Sequence, residues 1–403
     1  MLDRWQRNLA QLPKRVLAAF FLLGVINNVL YVIILSAALD LVGAKTPKAI
    51  VLLANILPSV LVKLVAPYIF EHIPHRFRVI GVVLTNIAGM LIVGTGASLA
   101  PRMVGIAMAS AASGAGEITF LQLSTHYPPI ALAAWSSGTG GAGILGGVLY
   151  VACTTWLRIS PSWTLLMASL LPLIMALSFF VLLPARESVK YAVLEPQPEE
   201  ESQELVSGEN ERSAKVSGIL QKMKSARPLL IPYMAPLFLV YFAEYTINQG
   251  VSPTLLFPIK EMPFERYRDV YPTYATLYQI GVFISRSSSP FIRIRRLYIP
   301  SLFQCGLLAI CITQSIRYFL PNIYPIFLLI FIEGLAGGAV YVNTFVSVSE
   351  DPSIQESERE FSMGVIGVAD SFGILCAAGL SLWLEGRLCE ANIARGRPYC
   401  SLE

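Results

Sequence analysis

The feature that most constrains this sequence is a series of eleven long apolar runs. A helix that crosses a bilayer needs roughly 20 mainly apolar residues, and only helices or closed barrels satisfy their backbone hydrogen bonds in lipid. Hydrophobic residues make up 55% of the chain and charged residues only 14%. We therefore predict an all-α polytopic membrane protein with about 11 transmembrane helices, which excludes a soluble enzyme. The runs are Val16–Leu39, Ala49–Phe70, Val79–Leu99, Met103–Thr125, Ile130–Ala152, Trp163–Leu183, Leu229–Val251, Val270–Pro290, Tyr298–Leu320, Ile323–Val346 and Phe361–Leu384.

A long charged segment, residues 184–228, separates the sixth run from the seventh. It contains EPQPEEESQE, and its prolines and low hydrophobicity predict a disordered linker. The sequence thus divides into an N-terminal tail (1–15), a six-helix half (16–183), the linker, a five-helix half (229–385) and a C-terminal tail (386–403). Basic residues are more frequent in the loops on the side of the N-terminus, so we expect the N-terminus and the linker to be cytoplasmic.

Two pairs of runs, each pair six runs apart, carry similar patterns. GAGEITF in the fourth run is matched by GGAVYVNTF in the tenth. The fifth and eleventh runs are both glycine-rich, and Gly143–Gly147 has the GxxxG spacing that allows close approach of membrane helices. Six runs, a linker and a second set are typical of transporters built from repeated halves. We therefore expect a two-half bundle.

One carboxylate, Glu244, lies deep inside the seventh run. An acidic residue at the centre of a bilayer costs about 2.5–3.5 kcal/mol on insertion scales, so such residues usually face the protein interior or a solute pathway. Tyr241 and Asn248 share its helical face, at i−3 and i+4. The alternative is a structural carboxylate that joins this helix to a neighbour.

The first half carries further polar side chains that share helical faces. The lysine among them is expected to pair with a carboxylate or attract an anionic group, unless it extends to the cytoplasmic interface. The neutral groups suit substrate hydroxyls, or else they form interhelical hydrogen bonds worth about 0.6 kcal/mol each. These residues are Asn27, Asn28 and Tyr31 in the first run, Asn55, Ser59 and Lys63 in the second, and Ser110, Ser113, Glu117 and Ser124 in the fourth.

The second half is richer in charge, with Gln279 and Arg286 in the eighth run, Glu333 in the tenth and Asp370 in the eleventh. Because an arginine keeps its charge in a protein, Arg286 is expected to pair with one of these acids, to remain hydrated, or to lie at the cytoplasmic interface. A cation presented with carboxylates suits a phosphate or carboxylate substrate. The carboxyl groups are also the only obvious proton carriers.

Catalytic and metal-binding motifs are missing from the sequence. The three histidines, His72, His75 and His126, fall at the edges of loops, and the six cysteines show no metal-ligand spacing. The sequence therefore predicts no enzyme activity, no cofactor, no metal site and no nucleic-acid partner.

Several motifs, taken in order along nearly the whole chain, are similar to those of the battenin family. They are LLGVINNVLYVIILSAALDL, LLANILPSVLVKLVAP, SGAGEITFLQL, SSGTGGAG, VYFAEYTINQG, VFISRSS, EGLAGGAVYVNTF and EREFSM. The resemblance implies a major-facilitator-like membrane protein of the lysosome or vacuole, linked to glycerophosphodiester efflux and, in fungi, to vacuolar pH and basic amino acid balance. Asn55 departs from the animal proteins, which have an acid there, and the usual major-facilitator loop signature is absent from EHIPHRFRV. The charged residues that fall on family motifs are Lys63, Glu117, Glu244, Arg286, Glu333 and Asp370.

These observations lead to a vacuolar or lysosomal secondary transporter that works by alternating access. Lys63, with Arg286, is expected to hold an anionic or zwitterionic solute such as a glycerophosphodiester, while Glu117 and Glu244 couple protons. The alternative is a non-transporting regulator or scaffold that affects vacuolar pH, basic amino acid balance or trafficking, with trafficking proteins bound at the linker.

The C-terminal tail offers two readings of Cys400. The final four residues form a C-a-a-X box, a prenylation motif, although Glu403 is atypical at its last position. An odd number of spans instead places this tail on the lumenal side, where Cys389 and Cys400 can form a disulfide.

Overall fold

The computed structural model describes residues 14–37, 41, 49–184 and 226–401. Within these residues the regular structure is entirely helical, and eleven principal helices follow the eleven predicted runs. The predicted tail at 1–13 and linker residues 185–225 lie outside the described part of the chain. The helices are α1 Lys14–Ser36, α2 Ala49–Ile69, α3 His75–Thr95, α4 Leu99–Ser124, α5 Pro129–Val151, α6 Pro161–Leu182, α7 Arg227–Thr254, α8 Val270–Ser287, α9 Tyr298–Arg317, α10 Tyr324–Glu350 and α11 Glu356–Ile393.

Eight of these helices are long and apolar enough to cross a membrane, judged by length and composition within the described residues. Of the other three, α2 is apolar over the shorter stretch Leu53–Ile69, whereas α5 and α8 carry glycines or polar residues that lower their hydropathy. They also lie where the halves meet, since α5 packs on α8 and α2 packs on α11. A helix that faces protein needs less apolar surface than one that faces lipid.

Helix α2 shows how burial is inverted relative to a soluble protein. Leu57, Leu61 and Leu64 are exposed on its surface, whereas Asn55 and Lys63 are buried. The exposed fraction is 55% for Leu61 but only 2% for Lys63. Leucine outside and lysine inside is the arrangement expected when the surrounding solvent is lipid.

The two halves use the same helix pairs. In the first half α1 packs on α5 and α2 on α4, and in the second half α7 packs on α11 and α8 on α10. Each pair in one half is therefore matched by the pair six helices later in the other. This recurrence agrees with the expected two-half bundle.

We call the end of the bundle where α6 ends and α7 begins the linker end. Since successive helices alternate in direction, this end also holds the turns between α2 and α3, α4 and α5, and α10 and α11. The C-terminal end of α11 lies at the opposite end.

Helix α2 continues through Pro58, which lacks a backbone N–H and so cannot donate to the carbonyl four residues before it. The hydroxyl of Ser110 on α4 donates to the carbonyl of Asn55 at 2.7 Å and accepts from the amide of Ser59 at 3.1 Å. These two backbone groups are four residues apart, the spacing that a regular α-helix pairs directly. Ser110 thus fixes α4 against α2 one turn before Lys63.

At the opposite end, Cys389 of α11 forms a disulfide with Cys400. The bond uses the thiol that prenylation of the C-a-a-X box would need. The structure therefore supports the disulfide reading of the tail.

Cys400 is expected to resist alkylation until the protein is reduced. The bond closes a loop with a sequence separation of 11 residues, which stabilises the docked tail by up to about 3 kcal/mol. Mass spectrometry of the peptide that contains Cys400, alkylated before and after reduction, measures this protection. Cys389→Ser is the control that frees Cys400, and a lipid attached to Cys400 in the intact protein would contradict the assignment.

Candidate functional site

Lys63 of α2 lies at the interface between the halves, surrounded by acceptors from two other helices, α4 and α11. Its Nζ is 2.6 Å from Glu117 Oε2 on α4 and 3.2 Å from Asp370 Oδ1 on α11. The same nitrogen donates to Ser371 Oγ at 2.7 Å. Asp370 lies 307 positions after Lys63 in the sequence, so the fold brings together groups that are distant along the chain. One buried cation is thus bound by carboxylates of both halves.

Asp370 is itself held in place by its neighbour Ser371. The Ser371 hydroxyl donates to Asp370 Oδ1 at 2.9 Å, and the Ser371 backbone N–H donates to the same oxygen. Hydrogen bonds to an ionised carboxylate are roughly twice as strong as neutral ones. The carboxylate is therefore presented to Lys63 in a fixed orientation.

Glu244 lies in the second half, where α7 passes α8 and α10. Its Oε1 accepts a hydrogen bond from the hydroxyl of Tyr278 on α8. Its Oε2 lies against Gly337 of α10, at the place that a Cβ would occupy. Three residues after Glu244, helix α7 widens into a π turn, Ile247–Val251. Such turns are frequent at functional sites.

Gly337→Ala is expected to destabilise the protein by about 1–3 kcal/mol, because the added methyl group overlaps the Glu244 carboxylate. Thermal unfolding of the purified protein in detergent measures the loss. The matched control is Gly306→Ala on α9, where no atom lies within 4 Å of the new Cβ and alanine improves helix propensity. Equal melting temperatures for the two variants would contradict the packing described here.

Glu333 and Asn248 form a second polar contact between α7 and α10. Asn248 Nδ2 donates to Glu333 Oε1 at 3.0 Å, and Glu333 is buried. Both residues were singled out in the sequence, and the structure places them together, one helical turn beyond Glu244 on α7.

Arg286 does not form the ion pair that was one of the expectations from its sequence, and it lies in the last turn of α8. No carboxylate of the described residues lies within ion-pair distance of its guanidinium. It donates instead to Thr139 Oγ1 on α5 at 2.6 Å and to the Tyr241 hydroxyl on α7 at 2.8 Å. It also lies over the ring of Tyr341, 4.1 Å from its centroid. Hydroxyl oxygens and an aromatic face stabilise a cation in place of an acid.

Tyr341 on α10 connects the two groups of charged residues. Its hydroxyl donates to Glu117 Oε1 at 3.4 Å, across the interface between the halves. Its ring supports the Arg286 guanidinium. The lysine group and the arginine group are therefore neighbours that share one tyrosine.

The remaining predicted residues take part in helix packing. Asn27 Nδ2 donates to the Ser113 carbonyl of α4 at 3.1 Å, and Asn28 Nδ2 donates to the Gly24 carbonyl of its own helix at 3.2 Å. Tyr31 packs beside a small apolar cluster of Ile56, Val60 and Ala378. Of these three residues, Asn27 forms the interhelical hydrogen bond of the alternative, whereas Asn28 bonds within its own helix.

Gln279 contacts α5 at Gly143, where the amide occupies the place of a Cβ. The GxxxG spacing therefore marks one close approach, at Gly143. Gly147, the second glycine of the motif, has no neighbour within 4 Å of its Cβ position.

Sequence reasoning missed four contributors to the site, namely Thr139, Tyr278, Tyr341 and Ser371. None is charged, so none carries the insertion cost that draws attention to Glu244. Thr139 and Tyr341 do lie inside the motifs SSGTGGAG and GGAVYVNTF, and Ser371 directly follows Asp370, which is the one signal that the sequence offers for them.

The chain is similar to known proteins over nearly its whole length. A profile described as CLN3 protein matches residues 18–391. Protein BTN1 of Yarrowia lipolytica is 50% identical over 394 residues, which cover 96% of this chain and 98% of that protein. Protein BTN1 of Saccharomyces cerevisiae is 45% identical over 404 residues, which cover 95% and 97%.

Solved structures of membrane transporters share the fold at low sequence identity. The proton:xylose symporter XylE has a TM-score of 0.64 at 10% identity, with 96% of this chain and 92% of that chain covered. The human organic anion transporter MFSD10 has a TM-score of 0.58 at 16% identity, with 96% of each chain covered. The Escherichia coli fucose:proton symporter FucP has a TM-score of 0.55 at 14% identity, with 96% and 93% covered. The chain therefore belongs to the CLN3 protein family, the battenin family that its motifs resemble, and is a multi-pass membrane protein with the two-half fold of the major facilitator superfamily.

Proposed function

We propose that this protein is a secondary transporter of the vacuolar or lysosomal membrane that exports a small anionic or zwitterionic solute by alternating access, with its N-terminus in the cytoplasm. The observation that carries the proposal is Lys63, a buried cation bound by Glu117 of one half and Asp370 of the other. A buried charge at a helix interface is a default indicator of a solute or ion pathway in a membrane protein.

The arrangement suggests how a substrate would compete for the lysine. A phosphate or carboxylate group that enters the site offers Lys63 a replacement for Asp370. Because the Lys63–Asp370 pair joins the two halves, its replacement would release one half from the other. The freed carboxylate would then be able to take a proton, which couples solute movement to a pH gradient.

A glycerophosphodiester is the substrate class that the site fits best. Its single negative charge suits one lysine, and its glycerol hydroxyls suit the tyrosine and threonine hydroxyls around Arg286. The family resemblance points to the same class. Basic amino acids are a weaker fit, because they have no glycerol hydroxyls to meet the hydroxyls around Arg286.

Uptake into proteoliposomes tests this proposal. We expect saturable uptake of labelled glycerophosphocholine under a pH gradient, inhibited by other glycerophosphodiesters and not by lysine or arginine. Vesicles without protein provide the background. An absence of uptake with gradients of either direction would refute the transport function.

The second candidate is a non-transporting scaffold that acts through the linker and the trafficking proteins it binds. It predicts that deletion of residues 193–213 abolishes function in cells while substitutions around Lys63 have no effect. The transporter proposal predicts the reverse, so one pair of variants in vacuole-bearing cells separates the two.

A further inference from the structure

A second polar group lies at the linker end, away from the residues around Lys63. His75 begins α3, His126 lies in the turn between α4 and α5, and Glu360 lies in the second turn of α11. The two histidines belong to the first half and the glutamate to the second. The group is therefore another contact between the halves.

The carboxylate of Glu360 lies between the two imidazole rings, with one oxygen facing each histidine. His126 Nε2 is 3.2 Å from Glu360 Oε2, and His75 Nε2 is 3.5 Å from Glu360 Oε1. One ligand atom from each residue can be chosen so that all three lie within 4.8 Å of one another. The imidazole rings meet edge to face, with centroids 5.7 Å apart.

These distances suit zinc. Ligands bound 2.0–2.2 Å from a tetrahedral zinc ion lie about 3.3–3.5 Å from each other. Each histidine nitrogen is already at this distance from one Glu360 oxygen, and because the three ligand atoms lie within 4.8 Å of one another, a small rotation of the carboxylate brings one oxygen near both nitrogens. Two imidazole nitrogens and one carboxylate oxygen are a known zinc ligand set with a fourth position open to water. Imidazole favours zinc over magnesium or calcium, which prefer oxygen ligands.

We propose that His75, His126 and Glu360 form a zinc-binding site that joins the two halves at the linker end. Within the described residues this is the one group of three or more histidine, cysteine or acidic side chains close enough to hold a metal ion. The ligands come from separate elements, and His126 and Glu360 are 234 residues apart. Sequence spacing therefore gave no indication of the site, and the sequence predicted no metal.

The site is open to water from the linker end. The side chains of His75, Glu360 and His126 are 14%, 27% and 29% exposed. Helix α11 has 38 residues and is about 57 Å long, much longer than the roughly 30 Å hydrocarbon layer. Ahead of the apolar run that begins at Phe361, it carries the charged residues Glu356, Glu358, Arg359 and Glu360. Charged residues so close together are expected at the edge of the lipid, where a hydrated ion can reach Glu360.

A neighbouring cation, Arg78, lowers the affinity without preventing binding. Its guanidinium is 3.6 Å from Glu360 Oε1. It is held independently of the glutamate, because it donates to the Ile73 carbonyl at 2.6 Å, to Gln122 Oε1 at 2.8 Å and to the Phe70 carbonyl. Glu360 can thus turn one oxygen to the metal while Arg78 keeps these partners.

Zinc binding is tested on the full-length protein, purified in detergent with a tag that contains no histidine. Calorimetric titration with zinc chloride is expected to give one ion per chain, and magnesium chloride is expected to give no binding. Loss of a ligand should weaken zinc binding at least about tenfold, since even the loss of a group that only supports a ligand costs 10–100-fold. The ligand variants are His75→Ala, His126→Ala and Glu360→Gln.

His72→Ala is the matched control, because His72 is exposed, lies three residues from His75 and is the only other histidine in the chain. It should bind zinc as the wild type does, and zinc should raise the melting temperature of both proteins but not of His126→Ala. Unchanged zinc affinity in His126→Ala and Glu360→Gln, or no zinc binding by the wild type, would overturn the proposal.

The effect of zinc on transport rests on the proposed function, whereas zinc binding does not. A metal ion held by both halves would keep the linker end closed, so zinc is expected to slow uptake by the wild type and by His72→Ala but not by His126→Ala. Binding is measured without any substrate. If the uptake assay fails, the measurement of zinc binding can therefore still be interpreted.

Discussion

Replacing Lys63 by methionine is expected to abolish uptake and to lower the free energy of unfolding by about 3–5 kcal/mol. Methionine has a similar length but no charge, so Glu117 and Asp370 lose the cation that compensates both of them. Removing one partner of a buried ion pair is costly because the other charge remains buried. Thermal unfolding in detergent and proteoliposome uptake measure the two effects separately.

A triple neutral variant distinguishes the structural contribution of Lys63 from its contribution to transport. Lys63→Met combined with Glu117→Gln and Asp370→Asn leaves no charge in the group, and neutral replacement of a whole ionic group is often tolerated. We expect most of the stability to return while uptake stays absent. Normal uptake by Lys63→Met would remove this lysine from the transport mechanism.

Glu244→Gln is expected to abolish accumulation driven by a pH gradient and to leave exchange of labelled for unlabelled substrate intact. The amide has the shape of the carboxylate, fits beside Gly337 and still accepts the hydrogen bond from Tyr278. It cannot take up or release a proton. The melting temperature should therefore change by no more than about 2 °C, which corresponds to a small change in free energy for a chain of this size.

The control for this substitution is Glu356→Gln, the same chemical change at an exposed position in the first turn of α11. It should accumulate substrate as the wild type does. If Glu244→Gln accumulated substrate normally under the gradient, Glu244 would be a structural carboxylate, the alternative raised by its sequence.

The positions of the helices could be predicted because the bilayer imposes a length on every apolar run. The seventh run, Leu229–Val251, became α7, Arg227–Thr254, and the tenth, Ile323–Val346, became α10, Tyr324–Glu350. Most boundaries differ from the predicted ones by four residues or fewer, and the largest difference is in α11, Glu356–Ile393, which was predicted at Phe361–Leu384. The linker prediction lies mostly outside the described residues and stays a prediction.

The pairing of side chains could not be predicted in the same way. The insertion cost of a charge marks Lys63, Arg286 and Asp370 as unusual, yet it does not say which helix faces which. Arg286 shows the limit, since its partners are Thr139 and two tyrosines that no charge-based search selects. The Lys63–Asp370 pair depends on the packing of α2 against α11, which arises only from the assembled halves.

Tyr341 has a thermodynamic consequence under the proposed function. Its hydroxyl contacts Glu117 in the first half, and its ring supports the guanidinium of Arg286 in the second. Any event that moves this ring changes the free energy of both contacts together. Coupling of this kind is reciprocal. A solute that binds beside Arg286 and moves this ring therefore changes the affinity of Glu117 for a proton. Protonation of Glu117 changes the affinity for that solute by the same factor.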